Sequence, residues 1–145
     1  MRRILFVCHG NICRSAMAEY IMKDYIKRNS LENEFYCESR AVSSEESGND
    51  IYPPAKACLK RHNIAFDRHI ARKISQLDYE KYDEIYVMDT SNLRYINMLV
   101  NDSQNKIKML LDTPIPDPWY SGDFEGTYSS LIEGIERILN YDKHS

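Results

Sequence analysis

The chain has 145 residues, of which 43% are hydrophobic and 28% charged, and its formal net charge is −3. This length is typical of one domain with its own apolar core, so we expect residues 1–145 to form a single domain. The charge excludes a strongly basic nucleic-acid-binding face, and no apolar run approaches the roughly 18 residues of a membrane span, so neither nucleic acid nor a membrane is an expected partner. Because the N-terminal apolar stretch is too short for a secretory signal, we expect a cytoplasmic location, while the oligomeric state is not indicated.

Cysteine usage agrees with a reducing compartment. The four cysteines are Cys8, Cys13, Cys37 and Cys58, and none of them forms a Cys-x-x-Cys pair. No histidine stands at zinc-finger spacing from them, so no structural zinc is expected. We expect reduced thiols, since disulfide frameworks belong to small secreted chains. Cys37 lies in an extended apolar stretch and Cys58 in a helical pattern, which indicates that both are core residues.

Strand-like and helix-like segments alternate along the chain. Short apolar runs predict strands, and apolar residues three or four positions apart predict amphipathic helices. In chain order we predict strand 3–8, helix 14–29, strand 35–42, helix 55–62, helix 75–82, strand 83–88, a helix from Thr90 or Ser91 to about Val100, strand 106–110 and helix 124–139. Residues 111–124 are rich in proline and glycine and lack periodicity, so we predict a loop there.

Three helix-end signals support these boundaries. Pro53 and Pro54 open the second helix, since proline fits a first helical turn. Asn63 follows that helix and suits a left-handed C-terminal position. Ser75 is the predicted N-cap of the third helix.

The alternation of strands and helices predicts an α/β fold with a parallel sheet, right-handed crossovers and helices on both faces. Ligands of such folds bind beyond the carboxyl ends of the strands. Cys8 ends the first strand, Asp89 follows the third, and residues 111–124 follow the fourth. We therefore expect these three parts of the chain to meet at one edge of the sheet.

The segment between the first strand and the first helix carries the strongest functional signal. Residues 8–15 read CHGNICRS, which places a thiol at the start of a tight loop and a guanidinium at a helix N-terminus. Backbone amides of such a loop and the helix dipole attract a phosphate dianion. Arg14 can bind two phosphate oxygens in a fork. Because the same surroundings favour a thiolate, Cys8 is the candidate nucleophile of a phosphoryl transfer.

Three further residues of this loop fit the same purpose. Gly10 lets the backbone approach closely, and Asn11 tolerates a positive φ. The hydroxyl of Ser15 can hydrogen-bond the sulfur and ease its departure in a second step. The sequence lacks the Gly-Lys-Ser/Thr of a Walker-type nucleotide loop, which excludes that alternative.

An acid is needed as well, because thiolate attack on a phosphate monoester expels a poor leaving group that requires a proton. Asp117 lies in the predicted loop and is followed by Pro118, which stiffens the turn. Trp119 and Tyr120 can wall a pocket for a flat aromatic group. A plain surface turn explains this spacing equally well, and three other residues compete for the acid role: Asp89, Asp112 and Asp123.

Five motifs give the chain a family resemblance: CHGNICRS at 8–15, ESRAVS at 38–43, HIARKIS at 69–75, YVMDTSN at 86–92 and DPWY at 117–120. Together they resemble the low-molecular-weight protein tyrosine phosphatases over nearly the whole chain. The resemblance implies a flavodoxin-like, three-layer domain with a four-stranded parallel sheet of order 2-1-3-4. It also implies hydrolysis of phosphotyrosine in proteins by a two-step mechanism that uses no metal and no cofactor.

Functional residues of that family match positions of this sequence. Cys8 matches the nucleophile, Arg14 the phosphate clamp, and Asp117 the acid that then acts as a base. The matching phosphate-binding loop comprises His9, Gly10, Asn11, Ile12, Cys13, Arg14 and Ser15. The matching hydrogen-bond network that supports the loop comprises Asn11, Ser15, Ser39 and His69.

The resemblance also assigns a pocket and a second thiol. Ile12, Trp119 and Tyr120 match the substrate pocket. Cys13 matches a neighbouring thiol that can form a protective, reversible disulfide with Cys8.

At the pocket mouth the sequence departs from many relatives. His9 stands where many of them carry leucine, and Glu45 and Glu46 lie in a stretch that contributes to the mouth. These residues leave the chemistry intact and bear on substrate preference. An acidic mouth is expected to disfavour acidic phosphopeptides.

Three alternatives remain. Arsenate reductases share the fold but relay a disulfide through further cysteines, and residues 59–145 contain none. Phosphoarginine phosphatases are closer; they tend to carry threonine at the position of Ile12 and to lack a second aromatic residue like Tyr120. A non-enzymatic phosphate-binding module is the third alternative, and turnover of an aryl phosphate distinguishes it from an enzyme.

Overall fold

The computed structural model describes the backbone of residues 1–144 and the side chains of residues 1–140. Its sheet has four parallel strands: β1 (Arg2–Cys8), β2 (Phe35–Ala41), β3 (Glu84–Val87) and β4 (Ile107–Met109). Their order is β2-β1-β3-β4, which confirms the expected α/β fold and strand order. The winding reverses between β1 and β3, and the carboxyl ends of those two strands flank the place where ligands of such sheets bind.

Six helices lie in the described part of the chain: α1 (Arg14–Arg28), α2 (Pro53–Arg61), α3 (Gln76–Lys81), α4 (Thr90–Leu99), α5 (Pro118–Ser121) and α6 (Phe124–His144). The prediction of a loop over 111–124 is wrong at α5. A single turn forms there because the Asp117 carboxylate accepts a hydrogen bond from the Trp119 N–H at 3.0 Å and Pro118 occupies the first helical position. Gly122 ends the turn with a φ of 74°.

Other helix ends differ less from the prediction. Helix α4 begins at Thr90 as predicted, and its N-cap is Asp89, whose carboxylate accepts from the backbone N–H of Asn92. The last helix continues past its predicted end at residue 139. Asn63 adopts the predicted left-handed conformation with a φ of 58°, and Ser75 caps α3 as predicted.

The side chains of β1 alternate between two apolar layers. Ile4 and Phe6 pack in the layer shared with α1, α2 and α6, while Leu5 and Val7 pack in the layer shared with α3 and α4. None of the four has any exposed surface. The sheet is therefore covered on both faces, as expected for a three-layer fold. Among the described residues, no helix combines the length and the apolar character that crossing a bilayer requires.

Backbone hydrogen bonds hold the segments beyond the strands together. After β2, the Val42 N–H donates to the Cys8 carbonyl at 3.0 Å. After β4, the Ile115 N–H donates to the Met88 carbonyl at 2.9 Å, just beyond β3. These contacts bring the loops that follow the strands to the edge of the sheet that carries Cys8, as the strand pattern predicted.

Candidate active site

Cys8 lies at the carboxyl end of β1, at the bottom of the 8–15 loop, and is 3% exposed. Three donors surround its sulfur: the backbone N–H of Asn11 at 3.3 Å, the backbone N–H of Ser15 at 3.5 Å and the Ser15 hydroxyl at 3.0 Å. Several N–H and O–H groups that converge near a helix N-terminus stabilise an anion. The loop therefore presents a sulfur in surroundings suited to nucleophilic attack.

Asn11 holds the loop in shape from inside the protein. It is fully buried and has a φ of 63°, in the left-handed region. Its side-chain amide donates to the hydroxyls of Ser15 and Ser39, each at 2.9 Å. Its own carbonyl oxygen accepts a hydrogen bond from Nε2 of His69 at 2.7 Å. The structure thus brings together all four residues that were expected to support the loop.

Glu19 extends this network and was not identified from the sequence. The Ser39 hydroxyl donates to a Glu19 carboxylate oxygen at 2.5 Å, so Ser39 accepts from Asn11. Since the Asn11 amide also donates to Ser15, the Ser15 hydroxyl proton has two acceptors within reach, the Cys8 sulfur at 3.0 Å and the Arg40 carbonyl at 3.4 Å. The sequence shows only that Glu19 lies one helical turn after Ser15, and its burial is visible only in the structure.

Arg14 is 2% exposed, and its guanidinium is held in one orientation. Nη1 donates to the Asp89 carboxylate at 2.6 Å and to the Ile115 carbonyl at 2.8 Å, while Nη2 lies 3.5 Å from the Asp117 carboxylate. Although burial disfavours the charged form, the Cys8 sulfur and the two carboxylates raise the pKa of Arg14 above its ordinary value. Arg14 is therefore a fixed cation beside the sulfur.

The four competing aspartates have different surroundings. Asp117 lines the pocket above Cys8, and its side chain is 26% exposed. Asp89 is occupied as the N-cap of α4 and as the partner of Arg14. Asp112 is fully exposed, and Asp123 accepts a hydrogen bond from the Gly126 N–H at the start of α6. Of the four, Asp117 is the one that lines the pocket together with Cys8.

A pocket opens over the 8–15 loop and encloses a cavity of about 150 Å³. A cavity of this volume accommodates one benzene-sized ring. Among its walls are three residues that the sequence placed there: Ile12, Trp119 and Tyr120. Trp119 is held by Tyr52, with a distance of 4.5 Å between the ring centroids, whereas Tyr120 is 86% exposed. Tyr52, at the N-cap of α2, is a support that the sequence gave no reason to select.

The mouth of this pocket is acidic. Glu45 and Glu46 line it together with His9, whose Nε2 lies 3.1 Å from the Glu45 carboxylate. Gly10 makes room for this segment, because a Cβ there would lie 3.2 Å from Cγ of Glu46. A charged group on a substrate would meet these carboxylates before it reached the loop.

Two other titratable groups, Cys13 in the loop and His69 beside it, are kept neutral. Burial, together with the negative charges of Cys8 and Asp117, raises the pKa of the Cys13 thiol far above its ordinary value. Burial likewise lowers the pKa of His69 below its ordinary value. Cys13 is therefore a protonated thiol at neutral pH, and His69 is a neutral donor to the loop.

Comparisons with known proteins agree with this geometry. The family model for low molecular weight phosphotyrosine protein phosphatase matches residues 3–141. The low molecular weight protein-tyrosine-phosphatase YfkJ of Bacillus subtilis is 34% identical over 147 residues, which cover 96% of this chain and 94% of that protein. The low molecular weight phosphotyrosine protein phosphatase of Gallus gallus is 35% identical over 150 residues, which cover 96% of this chain and 94% of that protein.

Solved structures give the same result. The crystal structure of YfkJ has a TM-score of 0.93 and 33% identity, covering 99% of this chain and 96% of that one. The structure of DARP, the Drosophila arginine phosphatase, has a TM-score of 0.87 and 30% identity, covering 99% of this chain and 98% of that one. The chain is thus similar to a phosphatase named for arginine as well as to those named for tyrosine.

Proposed function

Since the chain belongs to the low molecular weight phosphotyrosine protein phosphatase family, we propose that it hydrolyses phosphotyrosine in proteins, and small aryl phosphates, through a cysteinyl-phosphate intermediate. One observation carries the proposal: the Cys8 sulfur receives three donors at the bottom of a ring-sized pocket, beside the fixed cation Arg14. A phosphoprotein is the proposed partner. The proposed setting is the cytoplasm, because a nucleophilic thiol must stay reduced and all four cysteines are free.

Substrate binding uses the backbone of the loop. The N–H groups of residues 9–15 supply donors for the phosphate oxygens, helped by the N-terminus of α1. Arg14 adds a bidentate contact to two oxygens. Because Asp89 and Ile115 already hold its guanidinium, little side-chain entropy is lost when it binds.

In the first chemical step, the Cys8 thiolate attacks phosphorus. The S–P bond forms as the bond to the tyrosine oxygen breaks, and the carboxylic acid of Asp117 transfers its proton to that oxygen. In the second step, the Asp117 carboxylate takes a proton from water, which attacks the phosphocysteine. The sulfur then leaves as a thiolate, stabilised by the Ser15 hydroxyl at 3.0 Å, and inorganic phosphate is released.

Phosphoarginine is the second candidate substrate, because the Drosophila arginine phosphatase is one of the similar structures. The aromatic walls from Trp119 and Tyr120 favour a phenyl ring instead. Comparing kcat/KM for one peptide that carries either phosphotyrosine or phosphoarginine decides between them. We expect the phosphotyrosine peptide to have the higher kcat/KM. A higher kcat/KM for the phosphoarginine peptide would make phosphoarginine the proposed substrate instead.

The Asn11→Gly variant tests the support of the loop. Glycine tolerates the φ of 63° but lacks the amide that donates to Ser15 and Ser39, so the loop loses its side-chain bonds without backbone strain. We expect kcat/KM for p-nitrophenyl phosphate to fall by about 10²-fold, the size of effect that a misplaced catalytic group produces.

Asn105→Gly is the matched control, because Asn105 is exposed and has a φ of 53°. We expect this control to keep the wild-type kcat/KM. Equal activity of the Asn11 and Asn105 variants would show that the network has no part in the reaction.

The acidic mouth predicts a preference for basic phosphopeptides. Removing the charges in the double variant Glu45→Gln/Glu46→Gln is expected to reduce the ratio of kcat/KM for lysine-flanked over aspartate-flanked phosphotyrosine peptides by about twofold to fivefold. Added salt should reduce the wild-type ratio in the same direction, since it screens exposed charges.

Glu133→Gln is the control for this prediction, since Glu133 is a similarly exposed glutamate in an ion pair on α6. We expect it to leave the ratio unchanged. If the Glu45→Gln/Glu46→Gln variant kept the full wild-type ratio, Glu45 and Glu46 would have no role in substrate selection.

A further inference from the structure

A second group of reactive side chains lies between α2 and α6, outside the pocket. It consists of Cys58 on α2, His62 at the C-terminal end of that helix, and Glu125 in the first turn of α6. One ligand atom from each residue lies within 4.8 Å of the others. A thiol, an imidazole and a carboxylate are the three side-chain types that bind zinc in proteins.

The fold brings these residues together by a simple geometry. Cys58 and His62 are four residues apart, so they lie on the same face of α2. That face packs against the start of α6, where the Cys58 sulfur is 3.7 Å from Oε1 of Glu125 and Nε2 of His62 is 2.6 Å from Oε2. Cys58 is fully buried, whereas the side chains of His62 and Glu125 are 33% and 51% exposed. The group therefore has a buried sulfur and a side open to solvent.

We propose that Cys58, His62 and Glu125 form a binding site for a divalent transition metal such as zinc, with the fourth coordination position open to water. Bond lengths of about 2.3 Å to sulfur and about 2.0–2.2 Å to nitrogen and oxygen place tetrahedral ligands roughly 3.3–3.7 Å apart. The Cys58 sulfur lies 3.7 Å from Oε1 of Glu125, the oxygen that also accepts from Arg61, so the carboxylate must either turn or release Arg61 to bind through one oxygen. His62 and Glu125 need to move apart by about 1 Å, which their exposed side chains permit.

Neighbouring side chains hold two of the ligands in place. The His62 ring stacks on Tyr128, with a centroid distance of 3.7 Å and an interplanar angle of 11°. Nε of Arg61 donates to Oε1 of Glu125 at 2.7 Å and leaves Oε2 on the side of His62. Such contacts orient metal ligands, but the charge of Arg61 also opposes a cation. The site is therefore expected to bind metal more tightly without Arg61.

Cobalt titration of the full chain tests the site. Cys8→Ser/Cys13→Ser serves as the parent, so that thiols of the 8–15 loop do not contribute. We expect one equivalent of Co²⁺ to give a thiolate-to-cobalt charge-transfer band with the d–d bands of a tetrahedral site, and zinc to displace it. On coordination the Cys58 thiol loses its proton to solvent.

Single substitutions in that parent identify the ligands. Cys58→Ala should abolish the charge-transfer band, His62→Gln and Glu125→Gln should each weaken binding at least about tenfold, and Arg61→Gln should strengthen it. Cys37→Ser is the control thiol and should leave the titration unchanged, because Cys37 lies on β2 and is not one of the three clustered ligands. A parent without the band, or a band that persists in Cys58→Ala, would overturn the proposal. If Cys58→Ala fails to fold, unchanged affinity in the His62→Gln variant, whose side chain is partly exposed, would overturn it equally.

Discussion

Replacing Cys8 by serine is expected to lower kcat for p-nitrophenyl phosphate by about 10⁵-fold or more. A serine hydroxyl is not ionised at neutral pH and needs a base to become a nucleophile. Among the described residues, the groups around this position are the N–H of Asn11 and the N–H and hydroxyl of Ser15, which donate hydrogen bonds to the sulfur. None of these three groups is a base that could take the proton of a serine hydroxyl.

The control for this result is Cys37→Ser, the same exchange at another buried cysteine. This variant should fold less stably but keep kcat within about twofold, since Cys37 lies outside the pocket.

The Cys8→Ser variant should still bind inorganic phosphate, because the loop amides and Arg14 remain. Turnover by Cys8→Ser within tenfold of wild type would eliminate the covalent mechanism.

Asp117→Asn is expected to lower kcat for a phosphotyrosine peptide by about 10²–10⁴-fold, the usual contribution of acid catalysis. The exchange is conservative in structure, because an asparagine oxygen can still accept the hydrogen bond from the Trp119 N–H that caps α5. The loss should be smaller for p-nitrophenyl phosphate, whose leaving group needs less protonation. A leaving-group dependence of this kind is specific to a proton donor and would not follow from a distorted loop.

Asp123→Asn is the matched control. Asp123 also accepts a backbone N–H at a helix start, from Gly126, and it lies close in sequence but does not line the pocket. We expect its kcat to change less than twofold. If kcat fell equally in Asp117→Asn and Asp123→Asn, Asp117 would not be the acid. The same conclusion would follow if kcat of Asp117→Asn fell equally for the phosphotyrosine peptide and for p-nitrophenyl phosphate.

Local patterns in the sequence were sufficient to predict the parallel strands and the loop, whereas the strand order was implied by the family resemblance. The two faces of β1 and the CHGNICRS segment follow from apolar runs and from residue types whose local geometry is known. The short helix α5 was missed because it has only one turn and no apolar period. Its one signal was Asp117 before Pro118, a capping pattern inside a segment rich in turn residues.

Contacts between distant residues could not be predicted in the same way. Arg14 pairs with Asp89, which is 75 residues away in the sequence. Asp89 was a candidate for the acid, and the structure shows it as the ion-pair partner of the guanidinium. Spacing alone left four aspartates in competition, and only the family resemblance singled out Asp117; in the folded chain Asp117 lines the pocket and the other three do not. Likewise, Cys58 and His62 share a helix face, but Glu125 joins them only because α6 packs on α2.

The most direct test of the account is to find where the phosphoryl group resides during turnover. The Asp117→Asn variant should accumulate the intermediate with p-nitrophenyl phosphate, because the second step loses its base. Rapid quenching followed by peptide mass spectrometry is predicted to show one phosphoryl group on Cys8. Phosphate release without any phosphorylated peptide, or a phosphoryl group on another residue, would contradict the proposed mechanism.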